Sequence, residues 1–339
     1  FGYYRVPATR GAPPANESLV SMSASQPMST SSSEGRRFSP DLAIVLLVLI
    51  WGSNFSVVKS ALSEFNPLAF NATRFVLASA VLAVFLAISG VRVRFPKQDV
   101  MRLVGLGLLG NVLYQGLFIY GIDGTRAGNA ALMLSTVPLI VTVLSVALKH
   151  ETISRAGWAG VVLSISGIVV ILWGSSRGLS FGSDTIRGDL IMLGSALAWS
   201  VYTVLSSPYV QKYGTLPVTA FTMWIGTVGL VAVSTPALLA QDWISITPGA
   251  WGGLVFSGAF SLALAYILWY YGIRHLGSSR TAVYSNTVPV VALLVAWLTL
   301  GEVPTMVQVV GTVMILGGIG LARLRRKPVE LPEDLLPPE

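Results

Sequence analysis

The chain has no cysteine, two histidines and only 11% charged residues, and each shortage excludes something. Without cysteine there are no disulfides and no thiolate metal sites. His150 and His275 fall at predicted helix ends and belong to no ligand-spaced cluster, so neither a metal site nor a cofactor is expected. A soluble globular domain carries roughly a quarter charged residues. A chain with less than half that share cannot cover a water-facing surface, and lipid must cover much of it. No apolar run precedes Pro40, so no cleavable signal peptide is expected there.

What is present is apolar: 53% of 339 residues are hydrophobic. The net charge of +7 comes from Lys and Arg set between apolar blocks rather than along one face, so a bilayer and not nucleic acid is the expected partner. Residues 1–39, rich in Ser, Pro, Thr and Ala, are expected to be a disordered tail, and 326–339 a second tail. Between them lie apolar stretches at 41–60, 67–89, 99–121, 127–148, 154–173, 188–207, 216–239, 248–271, 279–300 and 304–324. Each is long enough to span about 30 Å of hydrocarbon at ~1.5 Å per residue. With the N-terminus placed in the cytoplasm, 15 Lys and Arg fall on the cytoplasmic side against four opposite, Lys59, Arg126, Arg177 and Arg187. The positive-inside bias therefore puts both termini in the cytoplasm of a multi-pass protein of the cell membrane.

The stretches repeat. Leu117–Ile122 recurs as Leu268–Ile273, Thr136-Val-Pro138 as Thr287-Val-Pro289, Glu151 as Glu302 and Gly167 as Gly318, all at an offset of 151. At an offset of 148, Asp41 matches Asp189 and Trp51 matches Trp199. The expected fold is thus an all-α integral membrane protein of ten transmembrane helices in two five-helix repeats, 40–174 and 187–325. An odd number of crossings per half turns the second half upside down, and such inverted repeats suit alternating access.

Trp51 in the first stretch, Pro67 with Arg74 in the second, and the series Pro138, Glu151 and Gly167 resemble the EamA repeat. The second half copies it in Trp199, Pro217, Pro289, Glu302 and Gly318. The region 41–324 is similar to the drug/metabolite transporter superfamily, EamA branch. That resemblance implies export of amino acids, drugs or other metabolites. One departure stands out: the position matching Arg74 falls near Met223–Ile225, which carries no charge.

Polar and aromatic residues fall on stripes at helical spacing. Trp51, Asn54, Phe55 and Val58 share one face, as do Trp199, Tyr202, Thr203 and Ser206. Asn111, Tyr114, Gln115 and Phe118 form a third face, with Leu262, Ala265, Tyr266 and Trp269 as its repeat mate. Unpaired amides at membrane depth cost several kcal/mol, on the order of 2–7. Asn54, Asn111 and Gln115 therefore either pair across helix interfaces or, with the aromatics, line a central cavity. The cavity is the reading adopted, with Trp51, Asn54, Arg74, Asn111, Tyr114, Gln115, Phe118, Trp199, Tyr202, Tyr266 and Trp269 as substrate-binding residues. Arg74, about 10 Å below the surface by helical rise, has three roles open: snorkelling outward, meeting a helix C-terminal carbonyl, or meeting a substrate carboxylate. Pro138 and Pro289 sit mid-span, where each favours a kink suited to gating. Gly105, Gly107, Gly110, Gly311, Gly317, Gly318 and Gly320 are expected to be close-packing sites.

An embedded enzyme would need buried acid/base pairs or a nucleophile. Asp41, Glu64, Asp99, Asp123, Glu151, Asp189 and Glu302 all map to helix ends or loops, so no enzyme is expected. With no titratable group at mid-span, transport down the substrate's own gradient is expected rather than obligatory proton exchange. The expected function is a monomeric exporter of small metabolites, aromatic or other neutral amino acids first. A drug, cation or nucleoside carrier and a channel-like facilitator are the alternatives.

Overall fold

The structure, a computed structural model, describes residues 39–91, 93–148, 151–176, 185–276, 284, 287–323 and 326–328. The expected N-terminal tail apart from Ser39, together with Tyr3, His150 and 329–339, lies outside the described residues.

Seven stretches among the described residues are long and apolar enough to cross a bilayer. They are α1 (Pro40–Ala61), α2 (Pro67–Ser89), α3 (Lys97–Asp123), α4 (Ala127–Ala147), α6 (Thr185–Tyr213), α7 (Thr215–Ala240) and α8, which starts at Pro248. Three further apolar helices complete the set: α5 (Arg155–Ser176), α9 (Val288–Leu300) and α10 (Met306–Arg323). The expected stretches thus form helices, most within a few residues of the expected bounds. Two bounds differ more: α9, expected from 279, starts at Val288, and α6, expected to stop at 207, continues through Pro208 to Tyr213. One missing N–H breaks one backbone bond, and in a bilayer no water rewards a free end. The fold is not wholly helical: Glu151–Ile153 pairs antiparallel with Arg326–Pro328, where a tail was expected.

Local chemistry sets the helix ends. Asn66 caps α2, its side chain accepting from the Leu68 N–H at 3.0 Å, with Pro67 in the first turn. Gly90 and Gly301 end α2 and α9 at positive φ, 66° and 67°, which glycine adopts without strain. Three helices are interrupted. In α3, residues Leu109–Leu113 form a widened π turn, and in α8, Phe256–Leu264 separates Pro248–Val255 from Ala265–Leu276. In α4, Ser135 and Thr136 separate Ala127–Leu134 from Val137–Ala147. The Thr136 hydroxyl there donates to the Met133 carbonyl, and Pro138 sits in the first turn of the new segment. Thr287 and Pro289 repeat this at the start of α9, with Thr287 donating to Tyr284.

The packing partners are exchange-symmetric. α1 packs on α9 and α6 on α4; α3 packs on α6 and α8 on α1; α2 packs on α7 and α5 on α10. Exchanging helix n with helix n+5 leaves this set unchanged. Large apolar side chains face outward on many helices, among them Val84 at 59%, Leu239 at 83% and Val313 at 67% exposure. In water such a surface would aggregate; in hydrocarbon it costs nothing.

Glycine fixes the close crossing of α5 and α10. A Cβ on Gly318 would stand 2.3 Å from the Ser164 hydroxyl oxygen and 2.4 Å from the Gly160 carbonyl oxygen. Gly311 and Gly167 are similarly confined, and Gly107 and Gly110 pack against Ile225 and Tyr202. Gly105, Gly317 and Gly320 do not follow the expectation, because nothing lies within 4 Å of a Cβ there. Gly318→Ala should therefore lower stability by about 1–3 kcal/mol, while Gly317→Ala should not. Thermal unfolding midpoints of the two variants in one detergent check this pair directly.

Candidate functional site

Arg74 is 1% exposed, on the face of α2 that also carries Phe70 and Asn71. It does not snorkel, and no helix terminus receives it. Its Nε donates to Asn71 Oδ1 at 2.9 Å, Nη1 to Ser257 Oγ at 2.8 Å and Nη2 to Gln115 Oε1 at 2.7 Å. Asn71 Nδ2 in turn donates to the Gln115 carbonyl at 3.2 Å, tying α2 to α3. The rings of Phe118, Phe70 and Phe75 lie 5.3, 5.6 and 6.0 Å from the guanidinium carbon. Every partner is neutral, and among the described residues no carboxylate pairs with Arg74.

The widened turn in α8 delivers Ser257. A Cβ on Gly258 would stand 2.8 Å from the Arg74 carbonyl oxygen, so only glycine lets α8 approach α2 this closely. A run of rings extends from the guanidinium across α3 to α6. Phe118 lies 6.1 Å from Tyr114, Tyr114 4.8 Å from Trp199, and Trp199 5.0 Å from Tyr202. Tyr114 and Tyr266, from α3 and α8, stand within electrostatic reach of Arg74.

The structure thus gathers Arg74, Gln115, Phe118, Tyr114, Trp199, Tyr202 and Tyr266 from the expected set. Tyr202 is partly committed to packing, its hydroxyl 3.1 Å from Thr222 Oγ1 and its ring against Gly110. Trp51 and Trp269 pair with each other at 5.6 Å in a cluster with Ala43, Ile44 and Leu47, and Trp51 Nε1 donates to the Ser261 carbonyl. Asn54 is 8% exposed and its Oδ1 has no hydrogen-bond partner among the described residues. Asn111 lies against Gly226, its Cβ 2.1 Å from where a glycine Cβ would be. Asn71 and Ser257 were not among the expected residues. Asn71 was legible as a polar residue three positions before Arg74; nothing local marks Ser257. A groove of about 570 Å³ opens elsewhere, between α1, α8 and α9, and none of the expected site residues borders it.

Polar latches hold both ends of the bundle. At one end, Glu64 accepts from the Thr247 backbone N–H at 2.7 Å and its hydroxyl at 2.9 Å, beside Phe65 and Trp243. At the other, about 34 Å away along α2 by helical rise, Asp99 accepts from Lys212 Nζ at 2.9 Å and from the Tyr213 hydroxyl, beside Phe95. The two sets are repeat mates: an offset of 148 carries Glu64 to Lys212, Phe65 to Tyr213, Phe95 to Trp243 and Asp99 to Thr247. Trp243, in the loop between α7 and α8, and Trp251, in the first turn of α8, stack on each other at 5.9 Å and both meet the Phe65 ring edge-on. Trp158 is 46% exposed, as a belt residue would be.

At the Glu64 end, Glu302 caps α4, accepting from the backbone N–H groups of Ala127 and Gly128 at 3.1 and 3.2 Å, with Arg126 Nε 3.8 Å away. Asp189 sits at the start of α6 as expected, yet it is fully buried and accepts from Thr125 and Asn129. A position at a helix end is therefore no measure of solvent access. Among the described residues no three His, Asp or Glu side chains converge on a metal site.

The EamA-like transporter family matches residues 38–173 and 186–324. The uncharacterized transporter YyaM of Bacillus subtilis is 28% identical over 269 residues, 79% of this chain and 88% of that protein. An uncharacterized transporter of Archaeoglobus fulgidus is 29% identical over 84% of this chain and 97% of its own length. A Streptantibioticus cattleyicolor protein named "Probable terminal-alkyne amino-acid exporter" is 28% identical over 84% of this chain and 93% of its own. One solved crystal structure shares the fold, with a TM-score of 0.59 at 23% identity, covering 84% of this chain and 96% of that one. Two matched halves and long apolar helices with an outward apolar face lead to one conclusion: the chain is a multi-pass membrane protein and belongs to the EamA-like transporter family.

Proposed function

We propose that the protein exports small carboxylate-bearing metabolites, amino acids among them, from a central site around Arg74. One observation carries this: a fully enclosed guanidinium held only by neutral groups. Burying a charge without a counter-charge is costly, and an intramembrane cation of this kind marks a binding role for an anionic group. The name of the Streptantibioticus cattleyicolor relative, an amino-acid exporter, supports the same class. Arg74 has no charged mate across the repeat, so the site favours a substrate bound in one orientation by one acidic end.

The working cycle is alternating access by ten helices in two inverted five-helix halves. The exchange-symmetric helix pairs and the mated latches support it. Pro138 follows the break in α4 and Pro289 stands in the first turn of α9, so each half carries a bending point at matching positions. The count of basic residues puts both termini in the cytoplasm, with the Glu64 latch outside and the Asp99 latch inside. One chain contains both halves, so a monomer suffices.

Proteoliposomes challenged with radiolabelled amino acids, nucleosides, sugars and cationic dyes provide the test. The expected result is saturable uptake with counterflow for amino acids, since a carrier exchanges and a channel does not. Counterflow of cationic dyes alone would sink the carboxylate reading; flux that neither saturates nor shows counterflow would sink the carrier itself.

A further inference from the structure

The hydroxyls of Tyr114 and Tyr266 bond to no other group among the described residues, and neither oxygen is among the enclosed unbonded atoms of the bundle. Both rings are only partly buried, although they pack deep among other helices. Tyr114 is fixed between Phe118 and Trp199, and Tyr266 packs with the cluster around Leu262 and Ala263. An unbonded phenol in a dry interior costs about 1–3 kcal/mol; neither oxygen is fully enclosed by protein, and both stand within electrostatic reach of Arg74 and of each other.

Arg74 spends three of its five N–H groups on Asn71, Ser257 and Gln115, which leaves one on each Nη. Guanidinium N–H groups taken in pairs grip a carboxylate two-pronged, and these two remain for one. Around it stand donors without an acid: a guanidinium from α2 and phenols from α3 and α8. Such a set stabilises negative charge and offers an ammonium only aromatic faces.

We propose that Tyr114 and Tyr266 are specificity-determining residues that donate their hydroxyls to the substrate carboxylate beside Arg74, so the site ranks ligands by charge: monoanionic carboxylates first, zwitterions next and cations last. This rests on the reading of the Arg74 site as the substrate site. It narrows the substrate class to small carboxylates whose amine is neutral, acylated or absent, with zwitterionic amino acids as weaker ligands.

Three probes of one shape make the test: N-acetylphenylalanine, phenylalanine and phenylalaninamide, of decreasing negative charge. Their binding to purified protein in nanodiscs is measured by calorimetry. The wild type is expected to bind them in that order, with about 100-fold or more between first and last, as for a buried charge-assisted pair. Tyr114→Phe and Tyr266→Phe should each weaken the two carboxylates about three- to tenfold and leave phenylalaninamide unchanged. Their thermal midpoints should match the wild type, because no protein group loses a partner. Variants that bind carboxylates as the wild type does, or weaken the amide equally, overturn the assignment. If Arg74→Gln loses carboxylate binding while both Tyr→Phe variants keep it, the function stands and this inference fails. If phenylalaninamide binds best to the wild type, or none of the three binds it, both fail.

Discussion

Arg74→Leu is expected to abolish transport while leaving a folded protein. Removing one partner of a desolvated charge pair costs about 2–5 kcal/mol, which at the substrate carboxylate means roughly a thirty- to several-thousandfold loss. The fold should tolerate the change better than the function does. Replacing a buried charge with an apolar side chain of similar volume removes its desolvation cost, which is often neutral or stabilising. Against that, Asn71, Ser257 and Gln115 each lose a partner. Arg74→Gln keeps a donor for these groups without the charge, and so separates the two effects. Arg74→Lys should recover only part of the activity, since an ammonium cannot bond three groups in the fork geometry and still present two donors. Counterflow rates read against size-exclusion profiles and thermal midpoints decide the matter. A monodisperse Arg74→Leu protein that transports at the wild-type rate would show that the guanidinium is structural.

Cross-linking either latch is expected to stop transport by tenfold or more. The chain has no cysteine, so Glu64→Cys with Thr247→Cys, or Asp99→Cys with Lys212→Cys, introduces the only thiols. Each pair joins one half to the other, the turn after α1 to the N-cap of α8 and α3 to α6. In alternating access the two ends must open in turn, so a short thiol bridge at one end traps the carrier facing the other. Reductant should restore the rate. The same variants report orientation: an impermeant bifunctional reagent added outside intact cells should bridge the Glu64/Thr247 pair and not the Asp99/Lys212 pair. High-yield bridging at both ends with transport unchanged would mean that the ends do not move, and the alternating-access reading would fall.

How far the sequence reached depends on what kind of physics each feature obeys. The spans, their order and the 148 and 151 offsets follow from apolar length and repetition, properties local to the chain, and the helices from α1 to α10 follow them. That Arg74 lies inside the membrane was equally legible, from seven residues of helical rise past Pro67. Which way its long side chain turns was not, because outward and inward rotamers differ only in the neighbours they meet. Ser257 meets it because Gly258 and a widened turn bring α8 against α2, a relation between residues 183 positions apart. Trp51 and Trp199 illustrate the same limit. They match across the repeat, yet Trp199 joins the rings beside Arg74 while Trp51 pairs with Trp269 in another cluster. Asp189 carried no mark of enclosure at all, since its burial comes from Thr125 and Asn129 closing over the start of α6. The sequence by itself determined a membrane-spanning, twofold-repeated helical chain with a cation at depth, because hydrophobic length and helical rise are additive along the chain. Only the tertiary structure decided which polar groups are satisfied by protein and which are left for a ligand, because hydrogen bonds are directional and their partners come from distant helices.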